Sequence, residues 1–262
     1  MSEPMTEVAS EVASERVVLI TGAASGIGAA TARRLAAPGT ALVLTTRANA
    51  AGLDAVAAAA QAAGAEVATR LADLTEPEAA TQLVAFATGR FGRLDQLVSN
   101  AGRAQKARFG EIGTADVTAA VALNALPFLA LATAALPALR LSDWGRVVAV
   151  SSFVAHDIGI NDSLFPATAA GKGALEALAR NLAFQLAPQG ITVNCVAPGF
   201  TRKDGGHAAL APEAWAAAAR ATPSGRIAEP ADIAAAIDFL LSRDARHITG
   251  QILRVDGGLS LL

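Results

Sequence analysis

Short apolar runs alternate with long alanine-rich stretches along this chain. The runs are RVVLIT at 16–21, ALVLTT at 41–46, EVATRL at 66–71, LDQLVS at 94–99, RVVAVS at 146–151, ITVNCV at 191–196 and QILRV at 251–255. Brief runs of this kind, apolar nearly throughout, predict strands buried on both faces. The stretches between them predict helices near 26–37, 50–63, 76–90, 114–139, 166–187 and 230–241. Strand and helix in strict alternation predict an α/β fold. It is a single-domain, doubly wound Rossmann-type parallel sheet of about seven strands, with helices on both faces. The stretch 200–229 breaks the rhythm with a Gly-Gly pair, prolines and a short PEAWAAAARA helix. Following a strand end, it reads as a lid over a pocket at about 200–222.

Composition narrows the picture. A length of 262 residues suits one large domain, here 16–262, and 53% hydrophobic residues supply a substantial core. Residues 1–15 are acidic, with neither a basic n-region nor an apolar h-region, and predict a disordered leader rather than a secretory signal. No run of eighteen apolar residues occurs, so no membrane span is expected. A net charge of −2 creates no broad field toward nucleic acid or an anionic membrane. The single cysteine, Cys195, allows no intramolecular disulfide, suits a reducing cytoplasm and is expected in the core. With three scattered histidines, it predicts no metal site.

The first candidate chemistry lies between the first run and the first helix, where TGAASGIG places Gly22, Ser25, Gly26, Ile27 and Gly28. Glycines there permit a tight turn, close approach of the backbone to a pyrophosphate, and close packing of helix on strand. The helix N-terminus adds N–H groups and a positive dipole end. The second run ends in Thr46 and Arg47 with no acid nearby. A guanidinium there accommodates the 2′-phosphate of NADP, whereas NAD calls for a carboxylate. This predicts NADP(H) in preference to NAD(H).

Further motifs follow in order: Asp73-Leu74, Asn100-Ala101-Gly102, Asn124 in ALNALPFLA, Ser151-Ser152, FPATAAGKGALEAL at 165–178, Pro198-Gly199, PSGR at 223–226 and ITGQILRVDGG near the end. With the TGxxxGxG turn, residues 16 to 258 resemble the short-chain dehydrogenase/reductase family. The resemblance implies a nicotinamide cofactor contacted by Asp73 and Leu74 at the adenine. It implies that Ser152 polarises the substrate oxygen, that Lys172 holds the nicotinamide ribose, and that Asn124 holds a water linking the lysine to solvent. It also implies a small-molecule substrate and a homo-oligomer, tetramer or dimer, pairing through the helices at 114–139 and 166–187 and the last strand. Two positions depart from the family's patterns. Ser25 stands where many NADP-dependent relatives carry a second basic residue, and Lys203 stands where a threonine often reaches the carboxamide, leaving Thr201 as its substitute.

The largest departure is at position 168. The family carries a tyrosine four residues before the lysine; here that residue is Thr168, and the chain contains no tyrosine. A phenol has a pKa of about 10, which a neighbouring ammonium lowers. An aliphatic hydroxyl is a far weaker acid, and losing general acid catalysis costs about 10²- to 10⁴-fold. Some enoyl reductases of the family carry tyrosine seven residues before the lysine, but that residue is Phe165. Dienoyl-CoA reductases carry a serine at the position of Thr168, which resembles that arrangement. The loop from Ser152 to Thr168 is longer than the family's usual one. It offers His156, Asp157 and Asp162 as substitute acids, with His207 in the lid.

On the helix itself, Ala169, Leu175, Leu178 and Leu182 read as the apolar face, with Thr168 and Lys172 sharing one stripe. The expected activity is NADP(H)-dependent hydride transfer to an activated C=C, imine or carbonyl of a small apolar substrate. The alternatives are a cofactor-binding relative with little turnover, or a dehydratase- or cyclase-like enzyme on the same fold.

Overall fold

The apolar runs pair side by side into one parallel sheet. The computed structural model describes residues 14–202 and 212–261. Its strands are β1 (Arg16–Thr21), β2 (Thr40–Thr46), β3 (Glu66–Leu71), β4 (Gln96–Ser99), β5 (Arg146–Val150), β6 (Thr192–Pro198) and β7 (Ile252–Val255). Among the described residues the sheet order is β3-β2-β1-β4-β5-β6-β7. The helices are α1 (Gly26–Leu35), α2 (Ala50–Ala62), α3 (Ala79–Phe91), α4 (Thr114–Asn124), α5 (Leu126–Leu141), α6 (Pro166–Leu186), α7 (Pro212–Ala221) and α8 (Pro230–Leu241).

Alternate strand residues feed two cores. Val17 and Leu19 of β1 join Val147, Val193 and Cys195 under α3, α5 and α6. Val18 and Ile20 join Leu42, Leu44, Val148 and Val196 under α1, α2 and α8. This is how a parallel sheet covered on both faces buries consecutive apolar residues. The sheet reverses its winding between β1 and β4, and the crevice beyond the carboxyl ends of those strands is where doubly wound folds bind ligands. At the opposite end, buried Asp95 accepts from the Val17 amide at 2.7 Å and from the guanidinium of Arg93 at 2.8 and 2.9 Å.

Several expectations need correction. The outer strands β3 and β7 are half-exposed rather than buried, because each has a neighbour on one edge alone. The helix expected at 114–139 is two helices, broken at Ala125 and restarted with Pro127 in its first turn. A proline fits a first turn, where its missing N–H has no helical partner to lose. Taken together, α4 and α5 are long and apolar enough to cross a membrane. The break at Ala125 and the burial of Phe128, Leu131, Ala135 and Leu139 in the core account for that composition. The helix expected from 76 begins at Ala79, because Asp73–Glu78 forms turns first.

The apolar face assigned to α6 is also corrected. Its buried stripe is Ala167, Thr168, Gly171, Lys172, Leu175, Glu176, Ala179, Ala183 and Leu186, whereas Leu178 and Leu182 are half-buried. Small residues on the inner side set this register: a Cβ on Gly171 would lie 2.7 Å from the Ala120 carbonyl of α4. The PEAWAAAARA segment is helical, as α7. Most of the leader, and positions 203–211 of the lid with Lys203 and His207, lie outside the described residues. Glu15 lies in the expected leader, yet its amide donates to the Gly39 carbonyl at 2.8 Å.

Candidate active site

The ends of β1 and β4 are tied together before anything else is built on them. The Thr21 hydroxyl accepts from the amides of Asn100 and Ala101 at 2.9 and 3.0 Å. The Asn100 carboxamide donates back to the carbonyls of Thr21 and Gly22 at 2.9 and 3.2 Å. These bonds leave no room for side chains at Gly22 and Gly28. Gly22 has φ +65°, and a Cβ on Gly28 would lie 2.3 Å from the Gly22 carbonyl oxygen and 2.7 Å from Asn100 Nδ2. Helix α1 therefore begins directly over the turn. Its N-cap, Ser25, is exposed and makes no side-chain cap bond, and no acid stands in the first turn. Ile27 packs against the core below. A positively polarised helix start over a glycine cradle fits a pyrophosphate.

Thr46 is half-buried and Arg47 exposed at the end of β2. Asp73 Oδ1 accepts from the Thr75 hydroxyl and amide at 2.7 and 3.0 Å. Those bonds hold its carboxyl below the usual carboxylate range against the opposing effect of burial, and the nearby Arg47 charge adds to the lowering. Leu74 packs on the core beside it. The β2 and β3 ends thus present a cation, a carboxylate and an apolar side chain on one side of the crevice.

Across the crevice, Lys172 is buried, and its Nζ donates to the Val150 carbonyl at the end of β5 at 2.7 Å. Burial pushes its ammonium down to about 8, against an upward pull from Glu176. A Cβ on Gly102 would lie 3.1 Å from Lys172 Nζ and 2.7 Å from Asn124 Oδ1, so the three residues converge. The Asn124 carboxamide is clamped on Arg103, accepting from its amide at 3.2 Å and donating to its carbonyl at 3.1 Å. Cys195 is buried as expected, and burial pushes its thiol up to about 12, so it stays protonated and is no nucleophile.

Thr168 is buried one turn before Lys172, but its hydroxyl is already engaged. It accepts from the Gln105 amide at 2.9 Å and donates to the Gln105 carbonyl at 3.4 Å. With Ala107 N donating to Leu164 O at 3.1 Å, the loop after β4 is fastened across the start of α6. The Ser152 hydroxyl caps the short 3-10 turn Phe153–Ala155, accepting from the Val154 amide at 3.4 Å.

The substitute acids expected in this loop fare differently. Asp162 pairs with Arg108 at the surface, and Asp157 lies 3.5 Å from Arg254. His156 instead turns inward, its Nε2 lying 3.0 Å from Glu176 Oε1. After β6, Phe200 packs against Phe153 with ring centroids 4.8 Å apart and the ring planes tilted by 56°. The Thr201 hydroxyl donates to Gly199 O at 3.0 Å, next to Pro198. Sequence reasoning missed Thr21, Gln105 and Glu176. For Glu176 the signal was present: with Thr168 and Lys172 it completes a four-residue spacing along one stripe.

A family model described as enoyl-(acyl carrier protein) reductase matches residues 22–260. Cis-4-hydroxycyclohexanecarboxylate dehydrogenase of Sinomonas cyclohexanicum is 38% identical over 249 residues, covering 95% of this chain and 98% of the relative. A short-chain dehydrogenase/reductase from Serratia marcescens BCRC 10948 has a TM-score of 0.87 and 31% identity, over 95% of this chain and 99% of its own. The angucycline C-6 ketoreductase LanV, with bound NADP, has a TM-score of 0.87 and 30% identity, over 95% and 97% of the two chains. The chain belongs to the short-chain dehydrogenase/reductase family and is an oxidoreductase of NAD(P)-dependent type.

Proposed function

We propose that this chain is an NADP(H)-dependent oxidoreductase that works without a tyrosine acid, reducing an activated C=C, an imine or a carbonyl of a small apolar substrate. The observation that carries this reading is the burial of Lys172 at the end of β5, bonded to the Val150 carbonyl and converging with Asn124 on Gly102. In this reading Gly22, Ser25, Gly26, Ile27 and Gly28 hold the pyrophosphate, while Thr46 and Arg47 take the 2′-phosphate. Asp73 and Leu74 flank the adenine. Asn100, Ala101, Gly102, Pro198, Gly199 and Thr201 line the nicotinamide side, and Lys172 holds its ribose. When bound, the cofactor supplies the hydride.

What the chain's own residues do with the proton follows from Thr168. Its hydroxyl is engaged with Gln105, and an aliphatic hydroxyl is too weak an acid to replace a phenol near neutral pH. Ser152 then serves as a donor to the substrate oxygen, stabilising negative charge rather than delivering the proton. Substrates whose reduction passes through a stabilised enolate, or that arrive already protonated as iminium, ask least of such a site. Where an acid is needed, His156 is the titratable side chain on the Ser152 loop suited to the task, held in place by Glu176. The half-buried Leu178 and Leu182 and the exposed Phe184 of α6 leave an apolar face, which suits pairing of this helix in a homo-oligomer.

The test is titration with NADPH and NADH by fluorescence, followed by absorbance assays on panels of enoyl thioesters, imines and ketones. Tighter NADPH binding, and turnover of the first two panels ahead of simple ketones, is expected. NADPH binding with no turnover of any panel would leave a cofactor-binding relative, and absence of binding would point to non-redox chemistry.

A further inference from the structure

Lys172 is followed one turn later on α6 by a second buried charged residue, Glu176. Its carboxylate is turned toward the start of the Ser152 loop. One oxygen, Oε1, accepts from the Ser151 hydroxyl and lies 3.0 Å from His156 Nε2. Ser151 and His156 stand on either side of Ser152 and its 3-10 turn. The turn is otherwise held by short-range bonds: Ala155 N to Ser152 O at 3.2 Å, and the His156 and Asp157 amides to Phe153 O, both at 2.9 Å. The Ser151 amide ties its first end to Val196 O at 2.7 Å. A tight turn carrying a hydroxyl that must meet a substrate oxygen needs its far end fixed as well, and the carboxylate provides that fixing.

We propose that Glu176 is a positioning residue for Ser152: a single buried carboxylate oxygen clamps both ends of the turn that aims the serine hydroxyl. The proposal rests on the reading that Ser152 meets the substrate oxygen. It assigns His156 Nε2 as the N–H donor of the clamp, which fixes its tautomer and leaves Nδ1 as the atom that faces other partners. Glu176 takes no part in the glycine turn and reaches the cofactor side through its charge on Lys172, which alanine and glutamine both remove, so the difference between those two variants falls on turnover rather than on cofactor affinity.

The experiment compares Glu176→Ala with Glu176→Gln. The glutamine keeps an oxygen that accepts from both Ser151 and His156; the alanine keeps none. Glu176→Ala is expected to lower kcat about tenfold to a hundredfold, the range that misplacement of a reacting group produces. The NADPH Kd should be the same in the two variants, and Glu176→Gln should recover most of the rate. Equal kcat for wild type and Glu176→Ala overturns the proposal, and so does equal loss in both variants.

Amide exchange across residues 152–157 and the imidazole 15N shifts of His156 supply a readout that needs no substrate. Faster exchange and a shifted Nε2 signal in the alanine variant alone are expected. Unchanged exchange overturns the clamp even if wild type turns over no substrate, whereas altered exchange in an inactive wild type would count against the redox reading and leave the clamp standing. If Glu176→Ala does not fold, Ser151→Ala and His156→Phe each remove one arm. Each is then expected to lower kcat with NADPH affinity intact, and normal kcat in both overturns the proposal.

Discussion

Lys172→Met keeps the length of the side chain and removes a charge the fold holds at a disadvantage. In the folded protein, burial lowers the lysine from 10.5 to about 8. Since the folded-state value is the lower one, the unfolded chain holds the extra proton between those limits, and wild-type stability rises with pH across that window. The destabilisation is fully present below pH 8 and gone above 10.5. At 1.36 kcal/mol per unit, it is about 3 kcal/mol at pH 7 and falls to about 1 kcal/mol at pH 10.

Methionine avoids this term but strands the Val150 carbonyl, at about 1–3 kcal/mol independent of pH. The variant should therefore gain on wild type at pH 7 and lose that advantage toward pH 10. The change in their stability difference is about 2 kcal/mol, or roughly 4–8 °C in Tm for a domain of this size. Thermal melts of both proteins without cofactor at pH 7, 8, 9 and 10 measure it. Cys195 titrates near 12, above this window, and groups that do not interact with Lys172 cancel between the two proteins. A Tm difference that stays constant across the four pH values would refute the claim that Lys172 is buried as an ammonium. The same variant should lose turnover, since a group destabilised by the fold is one retained for its chemistry.

Other perturbations test separate contacts. Gly28→Ala forces a methyl against the Gly22 carbonyl and Asn100 and should destabilise by about 1–3 kcal/mol, read as a lower Tm with weakened NADPH binding; a variant melting with wild type would show the turn is looser than described. Thr168→Val removes the acceptor of the Gln105 amide, at about 1–3 kcal/mol, and should speed amide exchange across 103–107, whereas Thr168→Ser should not. Arg47→Ala should weaken NADPH about tenfold or more while leaving NADH within about twofold, because a guanidinium–phosphate pair is strong and NADH has no such phosphate. Equal weakening of both cofactors would remove Arg47 from the 2′-phosphate site.

The sequence carried most of the sheet and the cofactor turn, because both depend on local pattern. Six of the seven strands begin within one residue of the expected runs; β4 starts two residues late because Asp95 turns its carboxylate into the Val17 and Arg93 network. The turn was legible because glycines are demanded by backbone approach, a requirement that the spacing itself displays. What escaped depended on partners distant in sequence. The break at Ala125 has a local clue in Pro127, but a proline in a first turn and one inside a helix look alike until the restart is seen, and α5 accommodates Pro137 within its length. Half-exposure of β3 and β7 follows from their places at the sheet edges, which composition does not specify. Thr168 was read against a missing phenol, and only its contact with Gln105, 63 residues away, shows what the hydroxyl does.

The inner stripe of α6 explains why these polar residues survive together. Thr168, Lys172 and Glu176 lie four residues apart, so one face of the helix carries a hydroxyl, an ammonium and a carboxylate into the interior. Each would be costly alone, since a buried polar group must find a partner. Each has found one in the segments that approach the site: Gln105 after β4, Val150 at the end of β5, and Ser151 with His156 beyond it. The helix thus orders three loops whose placement the sheet alone leaves open. The carboxylate also pulls Lys172 upward, opposing part of what burial takes away. Each of the three loops is thus fastened by a side chain of α6 itself: the hydroxyl holds Gln105, the ammonium holds Val150, and the carboxylate holds Ser151 and His156.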